Sequence, residues 1–256
     1  MKNNKKFSIF GAAAILLVFV ALAACASKDK PVTIYVTRHG KTLFNTKELI
    51  QGWADSPLTP EGIAVVRDLG RGLRDVPFDY VISSDLIRAR ETARLVMEQN
   101  RASKNYLVED SEMLREACFG DFEGAPYDAI MKASAKAAGA SPGEPAQDPL
   151  IWLKTADAIK RMDTSGMAED TATIKARMQT KLTEVAQALA KKGGNVLLVA
   201  HGQSINIMLS DLDPSFNFTG TPLENASVCK LIYNNGKFTI QSVNDTSYIE
   251  AGRRLH

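Results

Sequence analysis

Cysteine is scarce in this chain, with three residues in 256, and no two of them stand in a Cys-X-X-Cys spacing. That scarcity excludes a small scaffold held together by disulfides and the common cysteine-rich zinc sites. Histidine is equally rare, and the two internal residues, His39 and His201, each stand before a glycine at the end of an apolar run. Internal repeats are also missing. The chain is long enough to fold as one globular domain around a full hydrophobic core.

The chain also has no large excess of positive or negative charge. The chain has 31 Lys and Arg against 29 Asp and Glu, a formal net charge of +2. Three lysines, Lys2, Lys5 and Lys6, precede an apolar run from Phe7 to Ala24, which is the layout of a secretory signal. Without them the mature chain has 28 basic residues and a formal charge of −1. A nearly neutral domain lacks the basic stripe that nucleic-acid binding needs, so no nucleic-acid partner is expected.

The apolar run ends in Leu-Ala-Ala-Cys, Leu22 to Cys25, which resembles the bacterial lipobox. The resemblance implies that residues 1–24 are a lipoprotein signal peptide and that Cys25 is acylated, with palmitate among the expected chains. Residues 25–31 would then tether the domain to the membrane. An uncleaved anchor helix is the alternative, because the 18 residues of the apolar run just reach spanning length. Either reading predicts an extracytoplasmic, membrane-anchored protein of the cell envelope.

Three short runs rich in β-branched and apolar residues lack the alternation of half-buried strands: Val32–Thr37, Tyr80–Ser83 and Val196–Ala200. Such runs are typical of central strands of a parallel sheet, buried on both faces. Near the C-terminus, Asn235-Gly236 between two further strand-like runs predicts a β-hairpin. The two remaining cysteines, Cys118 and Cys229, are consistent either with a disulfide or with two buried thiols.

Helical patterns lie between these strands, at Glu61–Arg74, Asp85–Glu98 and about Thr171–Lys192. Thr59 followed by Pro60 predicts the start of the first helix, and Ser83 or Ser84 is expected to cap the second. Alternating strands and helices predict an α/β three-layer sandwich with a mainly parallel central sheet and helices on both faces, over residues 32–256.

An alanine-, glycine- and proline-rich segment from about Gly124 to Asp170 interrupts this pattern. It contains helical pieces near Tyr127–Ala138 and Pro149–Arg161. The segment is expected to form an inserted helical cap that covers the strand ends, where α/β folds bind their ligands.

Both His-Gly pairs follow predicted parallel strands, so His39 and His201 are expected at the same carboxyl edge of the sheet. Arg38 stands beside the first, and a third strand is followed by a segment that supplies Arg88. Two guanidinium groups and the N-termini of helices at one point favour a phosphate site. The loop of residues 112–124 offers carboxylates as proton donors, at Glu112, Glu116, Asp121 and Glu123.

Five segments stand in the same order as in a known family: TRHGKTLFN, LTPEG, SSDLIRARETA, LREACFGDFEG and LLVAHGQSI. With them the chain resembles the histidine phosphatase superfamily, the phosphoglycerate-mutase-like proteins, from Val32 to the C-terminus. The resemblance implies that His39 is the nucleophile that accepts the phosphoryl group, with His201 as a second catalytic histidine and Glu116 as the acid and base. It also implies that the phosphoryl oxygens are held by Arg38, Asn45, Arg88 and His201.

Because that positive charge belongs to the protein, neither a metal nor a cofactor is expected. The acidic loop is closer to the family's phosphatases than to its mutases, which predicts a hydrolase acting on a small phosphomonoester. Two alternatives stay open, a phosphoglycerate mutase-type phosphotransferase and a non-catalytic lipoprotein that binds a phosphorylated ligand. Where many relatives have Gly-Glu-Ser before the long helix, this chain has Met167–Thr173, which leaves open whether Glu169 contributes to substrate recognition.

Overall fold

A computed structural model describes residues 29–104, 106–137, 151–217 and 222–255. The predicted signal peptide, Cys25 and the first part of the predicted tether lie outside the described residues. In the part of the chain that the structure describes, no helix is both long enough and apolar enough to cross a membrane.

The described strands form one sheet: β1 (Val32–Arg38), β2 (Phe78–Ser84), β3 (Val108–Ser111), β4 (Gly194–Ala200), β5 (Val228–Asn234) and β6 (Lys237–Asp245). Their order across the sheet is β3-β2-β4-β1-β5-β6. The first four run parallel to one another, whereas β5 pairs antiparallel with both β1 and β6. The three apolar runs all lie within parallel strands, so the predicted mainly parallel sheet is confirmed.

The turn between β5 and β6 consists of Asn235 and Gly236, as the sequence predicts. Both residues have positive φ, 49° and 80°. This left-handed conformation matches the twist of a two-residue hairpin, and Asn-Gly is the dipeptide that adopts it most readily. The hairpin extends the parallel sheet on the β1 side with two antiparallel strands.

The described α-helices are α1 (Leu43–Thr46), α2 (Pro60–Gly72), α3 (Ile87–Gln99), α4 (Tyr127–Ala137), α5 (Ile151–Met162), α6 (Thr171–Ala190), α7 (Gly202–Leu209) and α8 (Ser247–Arg253). One buried cluster joins α2, α3 and α8 to the sheet and includes Val66 and Ile249. A second joins α5, α6 and α7 to it and includes Ile159 and Leu182. These two apolar layers confirm the predicted three-layer α/β sandwich.

The two predicted helix caps have different outcomes. Thr59 caps α2 as predicted, since its hydroxyl accepts the N–H of Gly62 at 3.0 Å and Pro60 is the first helical residue. The prediction that Ser83 or Ser84 caps the next helix is wrong, because both serines end β2 and α3 begins only at Ile87. The N–H of Ile87 instead donates to the carboxylate of Asp55, from a loop distant in sequence.

The helical pieces of the predicted cap are present as α4 and α5. Helix α5 packs into the main core, where Ala156, Ala158 and Ile159 are buried. Residues 138–150 lie outside the described residues, and the insertion from about 124 to 170 stays a prediction.

The remaining cysteines, Cys118 and Cys229, are both buried and unpaired. The structure therefore shows two buried thiols rather than a disulfide. Burial raises the pKa of the Cys118 thiol and raises that of Cys229 to about 11. Both thiols stay protonated at neutral pH and are poor nucleophiles.

Candidate active site

The two internal histidines lie side by side at the carboxyl edge of the sheet. Strands β1 and β4 are parallel neighbours with Arg38 opposite Ala200, and the N–H of His39 donates to the carbonyl of Ala200 at 3.0 Å. The residue that follows each of these strands is a histidine, and the ring centroids of His39 and His201 lie 5.2 Å apart. The sheet thus brings together two residues that are distant in sequence.

The ring of His39 has a defined tautomer. Its Nδ1 lies 2.8 Å from the carbonyl oxygen of Gly40. Because a carbonyl oxygen only accepts hydrogen bonds, Nδ1 carries the proton and Nε2 keeps the lone pair. Burial, together with the charges of Arg88 and Arg38, lowers the pKa of His39 well below its usual value. The ring is therefore neutral at physiological pH, with one nitrogen able to attack phosphorus.

His201 stands immediately before α7 and is fully buried. Neither of its ring nitrogens has a hydrogen-bond partner among the described residues. Burial, with the nearby Arg88 and His39, lowers its pKa well below the usual value. A buried imidazole without hydrogen bonds is unfavourable, which indicates that a bound ligand supplies the missing partner.

Arg38 and Asn45 lie on the wall of the cavity above His39. One Nη of Arg38 donates to the carbonyl of Leu223, and its buried Nε has no hydrogen-bond partner in the described part of the chain. The amide of Asn45 is part of a capping box with Thr42 at the start of α1. Asn225 was missed by the sequence analysis, although its side chain donates to the carbonyl of His39 at 3.0 Å.

Arg88 is fully buried, and its two Nη atoms are already occupied. They donate to the carbonyls of Gly52 and Ala54, at 2.7 and 3.1 Å, and to Asp55 at 3.0 Å. Its Nε is the atom without a hydrogen-bond partner among the described residues. Arg88 therefore acts on His39 through its charge and can offer a ligand one N–H rather than a forked pair.

Glu116 faces the same cavity and is held by backbone groups. Its Oε1 accepts the N–H of Ser204 at 2.7 Å and that of Ala117 at 3.0 Å, and its Oε2 accepts the N–H of Gln203 at 3.0 Å. Two of these donors belong to the first turn of α7, which begins next to His201. The helix after the second histidine thus places the carboxylate next to the site.

The other carboxylates of the same loop do not line this cavity. Glu112 is exposed, with 77% of its side chain accessible. Asp121 accepts hydrogen bonds from Thr164 and Ser165. Glu123 accepts the N–H groups of the turn at residues 52–54. Among the four acidic candidates, only Glu116 is a lining residue of the cavity.

The loop that carries Glu116 rests on an ion pair that the sequence analysis missed. Arg177 of α6 donates to the carbonyls of Arg115 and Glu116, at 2.6 and 2.9 Å, and forms a bidentate pair with Glu169. Glu169 also accepts the N–H of Cys118 at 3.0 Å. Glu169 therefore supports the acidic loop, and its side chain is not part of the cavity wall.

Trp53 holds the outer side of this loop. Its indole N–H donates to the carbonyl of Glu116 at 3.1 Å. The guanidinium group of Arg115 lies over the indole ring, 4.8 Å from its centroid, and is paired with Asp85. The backbone of Glu116 is thus fixed from two directions, by Trp53 and by Arg177.

The cavity above His39 encloses about 140 Å³. His39, Arg38, Asn45 and Glu116 line it. His201 and Arg88 are not among the lining residues, although the ring of His201 lies beside that of His39. Among the described residues, no group of three or more His, Cys, Asp and Glu side chains is arranged to hold a metal ion. A neutral histidine beside arginines and opposite a carboxylate is suited to phosphoryl transfer.

The α/β fold and the residues of this site together place the protein among those that transfer phosphoryl groups. Within that group, the chain belongs to the histidine phosphatase superfamily (branch 1), whose family model matches residues 34–246.

Relatives with phosphatase names match part of the chain. Fructose-2,6-bisphosphatase TIGAR of Xenopus tropicalis is 42% identical over 105 residues, which are 41% of this chain and 38% of that protein. Adenosylcobalamin/alpha-ribazole phosphatase of Salmonella typhimurium is 43% identical over 90 residues, 35% of this chain and 43% of that protein. The chain therefore spans less than half the length of these two relatives.

Two of the longer matches carry mutase names. The probable phosphoglycerate mutase GpmB of Yersinia pestis is 28% identical over 224 residues, 85% of this chain and 94% of that protein. The crystal structure of phosphoglycerate mutase from Bacillus anthracis has a TM-score of 0.81 at 39% identity, and the match covers 89% of this chain and 99% of that one. Both chemistries of the family are thus represented among the relatives.

Proposed function

We propose that this protein is a phosphomonoester hydrolase that works through a phosphohistidine on His39. The observation that carries the proposal is the bond from Nδ1 of His39 to Gly40, which directs the lone pair of Nε2 to the cavity that Glu116 lines. The phosphatase names among the relatives support hydrolysis as the outcome.

In the first step, Nε2 of His39 attacks phosphorus, the bond from phosphorus to the leaving oxygen breaks, and protonated Glu116 donates a proton to that oxygen. In the second step, Glu116 takes a proton from water. The resulting hydroxide attacks phosphorus, the N–P bond breaks, and inorganic phosphate leaves. Each half of the reaction returns Glu116 to the state that the other half needs.

The phosphoryl oxygens gain negative charge during both steps and need donors that are already in place. Buried groups without hydrogen-bond partners in the described chain supply them: the Nε atoms of Arg38 and Arg88 and the ring of His201. Asn45 adds an amide on the cavity wall. Because the two arginines provide the positive charge, the proposal includes no metal.

The test is release of phosphate from p-nitrophenyl phosphate by the full-length chain in detergent with EDTA present. We expect turnover that His39→Ala abolishes, together with an acid-labile, alkali-stable phosphoenzyme that forms only when His39 is present. Turnover that depends on an added divalent cation, or a phosphoenzyme retained in His39→Ala, would contradict the mechanism.

A phosphotransferase of the phosphoglycerate mutase type is the second candidate. It is favoured by the match to the mutase from Bacillus anthracis, which covers 99% of that chain. Incubation with 3-phosphoglycerate separates the two candidates: a mutase forms 2-phosphoglycerate without net loss of organic phosphate, whereas a hydrolase releases inorganic phosphate. A folded protein that binds phosphate but does neither would be the non-catalytic binding protein.

We further propose that the domain is exported and anchored by acylation of Cys25, on the basis of the Leu-Ala-Ala-Cys segment. The expected result is recovery of the protein in the membrane fraction with its leader cleaved and with a palmitate analogue incorporated. Both the label and the cleavage should be lost in Cys25→Ala. Ser27→Ala is the matched control, which should retain the label and the membrane fraction. An unaltered protein that incorporates no palmitate analogue and remains in the membrane with its leader uncleaved would favour the anchor helix.

A further inference from the structure

The cavity has little positive charge away from the histidines. Among the described residues that line it, Arg38 is the only Lys or Arg. Arg88 is not among the lining residues, and the charges of both arginines act on His39. The two guanidinium groups therefore serve the phosphoryl group that His39 receives, and neither is left for a second anion.

Apart from Arg38 and Glu116, the described residues of this wall are uncharged, since His39 is neutral. Apolar side chains contribute Leu49, Ile50, Phe119 and Leu223, and uncharged polar ones contribute Gln51, Gln203 and Tyr127. The charge of Arg38 interacts with the carboxylates of Glu116 and Glu224 and with the guanidinium group of Arg88. Of the internal stretches outside the described residues, 105, 138–150 and 218–221, none contains a lysine or an arginine.

This distribution of charge decides which alcohol part of a substrate fits. A second phosphate or a carboxylate would lose its hydration in the cavity without gaining a cationic partner, which is unfavourable. An uncharged alcohol part with apolar surface gains by covering the apolar side chains of the wall.

We infer that the site accepts phosphomonoesters whose alcohol part is uncharged and partly apolar, and that it discriminates against bisphosphates and phosphorylated acids. The inference rests on the proposed hydrolase function and concerns the substrate class of the same cavity. It separates this chain from relatives whose names refer to fructose 2,6-bisphosphate or phosphoglycerate.

The test uses two substrates of nearly equal shape, 4-carbamoylbenzyl phosphate and 4-carboxybenzyl phosphate, which differ by one negative charge. With the full-length protein in detergent, we expect kcat/KM to be at least tenfold higher for the carbamoyl compound. The 3-phosphoglycerate and fructose 2,6-bisphosphate reactions should be at least as slow as that of the carboxylate. A ratio near one, or a preference for any of the doubly anionic compounds, would overturn the inference.

Leu49 offers a way to change the charge of the wall, since it lines the cavity and is only partly buried. In Leu49→Lys we expect the preference for the carbamoyl compound to fall at least fivefold, because the ammonium group gives the carboxylate a partner. Leu49→Gln is the matched control of similar length without charge and should keep the preference. Equal ratios in both folded variants would count against the role of charge.

Failure of the inference can be told from failure of the proposed function. If the protein hydrolyses p-nitrophenyl phosphate and also both benzyl phosphates at similar rates, the hydrolase stands and the inference on substrate class falls. If it releases phosphate from none of these compounds while folded, the hydrolase proposal and the inference fall together.

Discussion

Arg177 holds Glu169 by two hydrogen bonds, from Nε to Oε1 and from Nη2 to Oε2, each 2.8 Å long. Only 13% and 11% of the two side chains are exposed. Because Arg177 also donates to the carbonyl of Glu116, the pair connects α6 to the residue that exchanges protons in the proposed mechanism.

Arg177→Met should therefore affect both stability and rate. Leaving Glu169 buried without its partner is expected to lower the free energy of unfolding by about 3–5 kcal/mol. If the effect on catalysis runs through Glu116, hydrolysis of an alkyl phosphate should fall at least tenfold more than that of p-nitrophenyl phosphate, whose leaving group needs little protonation. Denaturant unfolding and the two rates check this. An equal loss for both substrates would indicate a structural role alone.

Glu116→Gln should change which step limits turnover. Nitrophenolate leaves without an acid, so the first step persists, whereas the second step loses its base and slows by about 10² to 10⁴-fold. We expect a burst of nitrophenol followed by a slow phase, with phosphohistidine accumulating. Glu112→Gln makes the same change at an exposed position of the same loop and should behave like the unaltered protein. A Glu116→Gln variant without a burst, or with full turnover, would contradict the assignment.

The two buried histidines should make the protein less stable in mild acid. Their pKa values are lowered in the folded state, so as the pH falls below about 6.5 the unfolded chain binds protons that the folded chain does not. The free energy of unfolding is then expected to fall with pH, by at most about 2 kcal/mol per histidine between pH 7 and pH 5. Denaturant titrations at several pH values test this. The double variant His39→Gln, His201→Gln should lose that part of the slope, and a flat profile of the unaltered protein would contradict it.

The packing of α2 against α8 should depend on a glycine. A Cβ built on Gly252 would lie 1.7 Å from the carbonyl oxygen of Asp68, a backbone atom that cannot rotate away. Gly252→Ala should therefore destabilise the fold by about 1–3 kcal/mol, measured as a lower denaturant midpoint. Gly236→Ala is the comparison, since nothing lies within 4 Å of a Cβ there and only the strain of its positive φ remains. Equal midpoints for Gly252→Ala and the unaltered protein would refute the close approach.

The sequence predicts those features that depend on local pattern. Buried apolar runs give β1, β2 and β4, and a His-Gly pair after each of two parallel strands places His39 and His201 at one edge. The cap of α3 could not be predicted, because Asp55 reaches it from a loop distant in sequence. Arg177 gives no local signal either, since a charged residue within a helix usually faces solvent. Its partners, Glu169 and the loop of Glu116, meet it only in the folded chain.

The parallel register of β1 and β4 determines the spacing of the two histidines but does not determine the rest of the cavity wall. The spacing of His39 and His201 follows from the distance between two neighbouring strands, which the backbone ladder sets. The wall of the cavity that would meet the alcohol part in the proposed function comes from elsewhere, from the loop around Leu49 and from Tyr127 at the start of α4. Substitutions at Leu49 and Tyr127 would therefore change the substrates of the proposed hydrolase without changing the spacing of the two histidines.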